Sequence, residues 1–116
     1  MKTVVVLDDD HHGRAALAEL LRSPQRRVIE LADGIECIEL LDEFESDALV
    51  LDLQMPVFDG ERLLDYIGAV KPALLERIII ISGSAAFLGR REWPVAAVLP
   101  KPVEVEVLLR LLERHA

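Results

Sequence analysis

The sequence predicts an open, doubly wound α/β fold, a parallel sheet with helices on both faces. Three observations carry this. Short β-branched apolar runs alternate with stretches of helical periodicity, five of each. The apolar runs are continuous rather than alternating, as strands buried on both faces require. No repeat, low-complexity tract or linker interrupts the alternation, and βαβ connection is the natural reading of such an order.

Thr3 to Leu7 (TVVVL) is the first strand, ended by Asp8-Asp9-Asp10. A helix over Gly13 to Arg22 follows, with Leu17, Leu20 and Leu21 at helical spacing and Ser23-Pro24 as its stop. Arg27 to Leu31 is the second strand. Gly34 opens a second helix, in which Ile38, Leu41 and Phe44 recur every three residues. Asp47 to Leu53 is the third strand, with Asp52 near its end, and Met55-Pro56 and Asp59-Gly60 mark the loop beyond it. The third helix runs through Leu63, Leu64 and Ile67 to about Val70, before Pro72. Arg77 to Ser82 (RIIIIS) is the fourth strand. Gly89 and Pro94 leave only a short fourth helix over Ala86 to Trp93. Val95 to Leu99 is the fifth strand and Val103 to Arg114 the last helix.

At 116 residues the chain has the length of one domain. Thirteen basic and 21 acidic side chains give a net charge of −8, which argues against a duplex-DNA footprint. A lone cysteine, Cys37, excludes an internal disulfide or a Cys-based zinc cage, and its apolar helical setting suits a core side chain. The apolar runs are far too short for a membrane span, and the N-terminus lacks the pattern of a signal peptide. Cytosol is the expected address, with neither nucleic acid nor membrane as a direct partner.

In an open α/β sheet, ligands bind beyond the carboxyl ends of the strands. Those ends carry Asp8-Asp9, Asp52, Ser82 and Lys101. Like charges about 4 Å apart repel by roughly 4 kcal/mol at an effective dielectric near 20. A raised pKa or a bound cation is the remedy, and a carboxylate, carbonyl and water donor set suits Mg²⁺. With an ammonium and a hydroxyl added, the group is equipped for a phosphoryl group that a carboxylate attacks in line. The bland reading of Asp8-Asp9-Asp10 is a strand end with helix-capping carboxylates; the register with Asp52, Ser82 and Lys101 outweighs it. Asp10 itself is read as a cap or surface residue. His11 and His12 are adjacent and so poorly placed to share one metal; they are read as loop or first-turn residues.

The run from Val4 to Asp10, then Leu51-Asp52-Leu53-Gln54-Met55-Pro56 with Gly60, then Ile81-Ser82-Gly83, then Lys101-Pro102 resembles the receiver domain of two-component response regulators. The resemblance spans nearly the whole chain. It implies a flavodoxin-like (βα)5 sheet in the order 2-1-3-4-5. It further implies that Asp52 accepts a phosphoryl group from a histidine kinase or histidine phosphotransfer protein. Asp9 would bind Mg²⁺ directly, Asp8 mostly through water, and the Gln54 backbone carbonyl would complete the protein ligands together with Asp52. Ser82 would hydrogen-bond the phosphoryl group, Lys101 would pair with it, and the Lys101–Pro102 peptide would be cis.

Two departures stand out. The position three residues before the lysine, commonly Tyr or Phe, is Val98, and the Ser82–Lys101 interval is tight. The usual output switch is therefore in doubt, and an atypical surface around Ala86 to Trp93 is the expected substitute. On the last helix, Val105, Leu108, Leu109 and Leu112 form the expected core stripe. Val103, Val107 and Leu111 fall on the opposite side, either as isolated exposed apolar residues or as a docking face for a downstream protein or a homodimer. The overall expectation is one receiver over residues 1–116, without an output domain or separate catalytic turnover, that signals by changing partner binding. The alternatives are a receiver-shaped binding module that is never phosphorylated, and a small haloacid-dehalogenase-type phosphatase using Asp8. The phosphatase is disfavoured by the chain's length and by the lack of an acidic pair after Lys101.

Overall fold

A computed structural model of the chain describes residues 1–43, 46–52, 60–83 and 94–115. Its five strands are β1 (Lys2–Leu7), β2 (Arg26–Leu31), β3 (Ala48–Asp52), β4 (Ile78–Ser82) and β5 (Ala97–Pro100). They form one parallel sheet in the order β2-β1-β3-β4-β5. The described α-helices are α1 (His11–Leu21), α2 (Gly34–Glu43), α3 (Gly60–Val70) and α4 (Val105–His115), the last helix of the chain. The short helix expected over 86–93 lies outside the described residues, as do Phe44 and Trp93.

Every residue of β3 and β4 is buried, as are five of the six in β1. Successive side chains leave opposite faces of a strand, and both faces here are covered. Val5, Leu7, Leu49, Leu51, Ile78 and Ile80 pack beneath α2 and α3, with Cys37, Leu41, Leu63, Leu64 and Ile67. Val4, Val6, Val50, Ile79 and Ile81 pack against α1 and α4, through Ala18, Leu21, Leu108 and Leu112. This two-sided burial is why the strands read as uninterrupted apolar runs.

The differences from expectation have local causes. After α3, Pro72–Arg77 forms a 3-10 helix that buries Leu74 and Leu75. Lys71 still donates to the Ile67 carbonyl (2.7 Å), but a residue before proline is driven out of the helical region, and Lys71 sits at φ −136°, ψ 62°. Arg77 therefore ends that turn instead of opening β4. In α1 the buried residues are Ala18 and Leu21, whereas Leu20 is 57% exposed; Ala18, three residues before Leu21, takes the inward position. β5 starts two residues later than expected. It is an edge strand, partly covered, and Pro100 at its end costs the sheet no ladder bond.

The stripe expected on the outer side of the last helix is corrected. Val103 and Leu111 pack against the core alongside Leu109, and Val107 is half-buried. They wrap the flank of the Leu108–Leu112 ridge instead of forming an open apolar face.

Candidate functional site

Strands β1, β3, β4 and β5 end within one residue of their neighbours. Leu7 pairs with Leu51, Asp52 with Ile81, and Ser82 with Pro100. Each is followed by, or is itself, one of the polar residues that the sequence places on the rim. Asp52 ends β3 and is buried, with 4% of its surface exposed. Its Oδ2 accepts a hydrogen bond from Lys101 Nζ at 2.8 Å, an ion pair across 49 residues of sequence. A buried carboxylate needs such a partner.

Asp8 and Asp9 complete the acidic group. One carboxylate oxygen from each of Asp8, Asp9 and Asp52 lies within 4.8 Å of the others. Asp8 is half-buried and Asp9 exposed. The Asp8 carboxyl is pushed up to about 6, chiefly because burial disfavours its charge. The amide of Asp10, which donates to Asp8 Oδ1 at 2.9 Å, works against this rise, as does Lys101, while the neighbouring Asp52 adds to it. On Lys101, partial burial opposes the charged form but is outweighed by the Asp52 hydrogen bond and by the charges of Asp52, Asp8 and Asp10. Its ammonium is held above the usual lysine range.

These oxygens fit a divalent cation. They are hard donors, close enough to share one ion, and their mutual repulsion is what such an ion relieves. Asp8, Asp9 and Asp52 are the described residues that would hold Mg²⁺; Gln54 lies outside the described residues. Below the rim, a cleft of about 490 Å³ reaches from Asp8, Asp52 and Lys101 down to Val6, Leu17 and Val103.

Ser82 is buried at the end of β4, and its carbonyl accepts the Lys101 amide at 3.2 Å. That bond ties the lysine backbone to the adjacent strand, and the Lys101–Pro102 peptide is cis. Val98 stands in β5 opposite Ile80 and packs into the core on the α2–α3 side.

One residue of the site escaped the sequence reading. Arg14, in the first turns of α1, donates to the Asp8 carbonyl (2.8 Å), to Glu30 of β2 (3.3 Å) and to His11 Nδ1 (3.0 Å). It pins the β1–α1 loop that carries both acidic residues. Its only signal in the sequence is a lone arginine six residues after Asp8, which nothing in the spacing marks out. His11 and His12 occupy the exposed start of α1 with their rings edge to face, and His11 Nδ1 is taken by Arg14. Asp10 is the residue before α1, yet its side chain caps no amide; it lies close above Gly13 instead, where a Cβ would come within 2.9 Å of Asp10 Oδ2.

Comparison with known proteins places this rim in a family. The model of the response regulator receiver domain matches residues 4–113. A response regulator receiver protein from Anaeromyxobacter sp. (strain Fw109-5) is 32% identical over 113 residues, 96% of this chain and 47% of that protein. The sensor kinase CckA from Brucella abortus is 32% identical over 111 residues, 91% of this chain and 12% of that protein. The chain thus spans less than half the length of either relative. Among solved structures, the response regulator TrrA from Thermotoga maritima, in complex with Mg²⁺-BeF, superposes with a TM-score of 0.89 over the whole of both chains at 20% identity. Among the described residues, no helix is long and apolar enough to cross a membrane. The family match over nearly the whole chain and the shared fold lead to one conclusion: the chain belongs to the response regulator receiver domain family of two-component signalling.

Proposed function

We propose that the protein takes a phosphoryl group onto Asp52 from a phosphohistidine donor and signals by changing which partner it binds. The observation that carries this is the buried Asp52 carboxylate, paired with Lys101 at 2.8 Å, with Asp8 and Asp9 oxygens within 4.8 Å. In the transfer, an Asp52 oxygen attacks phosphorus in line. An O–P bond forms as the P–N bond to the donor imidazole breaks. Asp52 loses its free carboxylate in the process, so the Lys101 ammonium exchanges that partner for an oxygen of the incoming group. Ser82, on the neighbouring strand end, would hydrogen-bond another. Mg²⁺, when bound by Asp8, Asp9 and Asp52, supplies charge neutralisation for the transferring oxygens.

A histidine kinase or histidine phosphotransfer protein is the upstream partner in this reading, and a downstream partner receives the signal. The relay to that partner runs without an aromatic ring at Val98. Because Val98 packs against the core, it can transmit only by a shift of packing on the α2–α3 side.

The test is incubation of the purified chain with acetyl phosphate, with and without Mg²⁺. The expected product is one base-labile phosphoryl group per chain, formed only with Mg²⁺ and absent in Asp52→Asn. A label that survives in Asp52→Asn and disappears in Asp8→Asn points to phosphatase chemistry instead. No label from either acetyl phosphate or a phosphorylated phosphotransfer protein points to a binding module that is never phosphorylated.

A further inference from the structure

At the opposite end of the sheet, where β3 and β4 begin, a cavity of about 390 Å³ opens beside the ends of α2 and α3 and the 3-10 helix. Such a volume lies within the range of small-molecule sites, roughly 300–1,000 Å³. Among the described residues it shares no lining residue with the acidic rim, from which β3 separates it by about 13 Å.

Its walls combine three kinds of group. Leu41 and Leu74 form a buried apolar floor, and Val70 at the edge is 53% exposed. Lys71 and Arg77 line the same space, half-buried, and neither has an ion-pair partner among the described residues. Ser46 is the third. It is only 2% exposed, and its hydroxyl is sealed from water without a hydrogen-bond partner among the described residues. Buried hydroxyls are ordinarily bonded, but this one lies beneath the cavity surface, where a ligand in the open space does not touch it. In a chain with 21 acids and 13 bases, two cations on one apolar-floored cavity, without ion-pair partners among the described residues, select for an anion. The fork of an arginine matches a carboxylate or a phosphate, and the apolar floor favours the one carried on an apolar body.

We propose that this cavity binds a small organic anion, a carboxylate carried on a short apolar body. Arg77 and Lys71 hold the carboxylate, while Leu41, Leu74 and Val70 cover the body. The site is independent of the chemistry at Asp52.

The test is an amide NMR titration of the whole chain with hexanoate, with inorganic phosphate and with hexanol. Hexanoate is expected to give saturable shifts concentrated at Ser46, Val70, Lys71, Leu74 and Arg77. Arg77→Gln and Lys71→Gln are each expected to weaken it by about tenfold, the loss of one charge-assisted hydrogen bond. Ser46→Ala, beneath the cavity surface, is the control and is expected to keep both the native spectrum and the hexanoate affinity. Phosphate, with the charge but no apolar body, and hexanol, with the body but no charge, are expected to bind far more weakly. Absence of saturable shifts at these residues with hexanoate overturns the proposal, as does a hexanoate affinity unchanged in both charge variants. Phosphate binding as tightly as hexanoate overturns the apolar half of the assignment.

Discussion

Asp8 is an acid held beside a second, more deeply buried acid, and its ionisation is where the site is most sensitive to pH. Its carboxyl is raised from 3.8 to about 6, first by burial and then by Asp52. A raised carboxyl pKa means the folded state binds the proton more tightly than the unfolded chain does. The stability it contributes is therefore complete below about pH 4 and is lost as the pH rises through about 6. Mg²⁺ competes with that proton, so it should raise the melting temperature more at pH 7.5 than at pH 5. Melting curves at the two pH values, with Na⁺ controls at matched ionic strength, check this; an equal gain at both would contradict it. Lys101 is the other half of the balance. Replacing it with Met leaves Asp52 buried without its cation, a loss we expect to cost about 1–2 kcal/mol without Mg²⁺. That figure is discounted from the range for a fully buried pair because the lysine is 38% exposed. Denaturant unfolding with and without Mg²⁺ measures it, and the ion should restore part of the loss. These residues were legible together: each alone has a bland use at a strand end, but the acids, the hydroxyl and the ammonium in one register do not. Arg14 was not, because its work is a hydrogen bond to a main-chain carbonyl, which leaves no pattern in sequence.

At the scale of elements, the loop between β1 and α1 depends on Arg14 as much as on its own acids. Arg14→Met should keep the fold, since the stem can still pack, but weaken Mg²⁺ binding by about tenfold, the low end for loss of a group that orients a ligand. Mg²⁺ titration by calorimetry reads the change. In α4, the ridge of Leu108 and Leu112 is buried whereas Leu111 is only partly covered. Leu108→Ala should therefore cost about 3 kcal/mol and Leu111→Ala about 1 kcal/mol in chemical denaturation. Similar losses would mean that the helix packs on a broader face. Periodicity located every described α-helix here, yet it misjudged which residues face inward. Leu20 points out while Ala18, two residues earlier, is buried on the inward side, and Val103 and Leu111 pack against the core instead of facing outward. The 3-10 turn of Pro72–Arg77 was invisible to a search for 3.6-residue periodicity, although Pro72 already explained why α3 could not continue.

For the whole molecule, the parallel order β2-β1-β3-β4-β5 makes the acidic rim possible, because it brings the carboxyl ends of β1, β3, β4 and β5 to one edge. The same order places their beginnings at the other edge, where the cationic cavity lies. A net charge of −8 is thus unevenly used: acids gather where a cation is needed, and two bases are left where an anion fits. Cys37 reports on the integrity of the body between them. It is fully buried and its thiol is pushed up to about 12 by burial, so a thiol reagent at pH 8 should leave it unmodified until denaturant unfolds the chain; rapid labelling of the folded protein would contradict the packing of α2. The central claim, that Asp52 is the residue phosphorylated, is tested most directly by trapping. The chain is incubated with acetyl phosphate and Mg²⁺, reduced with borohydride, which converts an aspartyl phosphate to homoserine, and mapped by peptide mass spectrometry. The account predicts homoserine at position 52 and nowhere else. Homoserine at position 8 or 9, with position 52 unchanged, would contradict it.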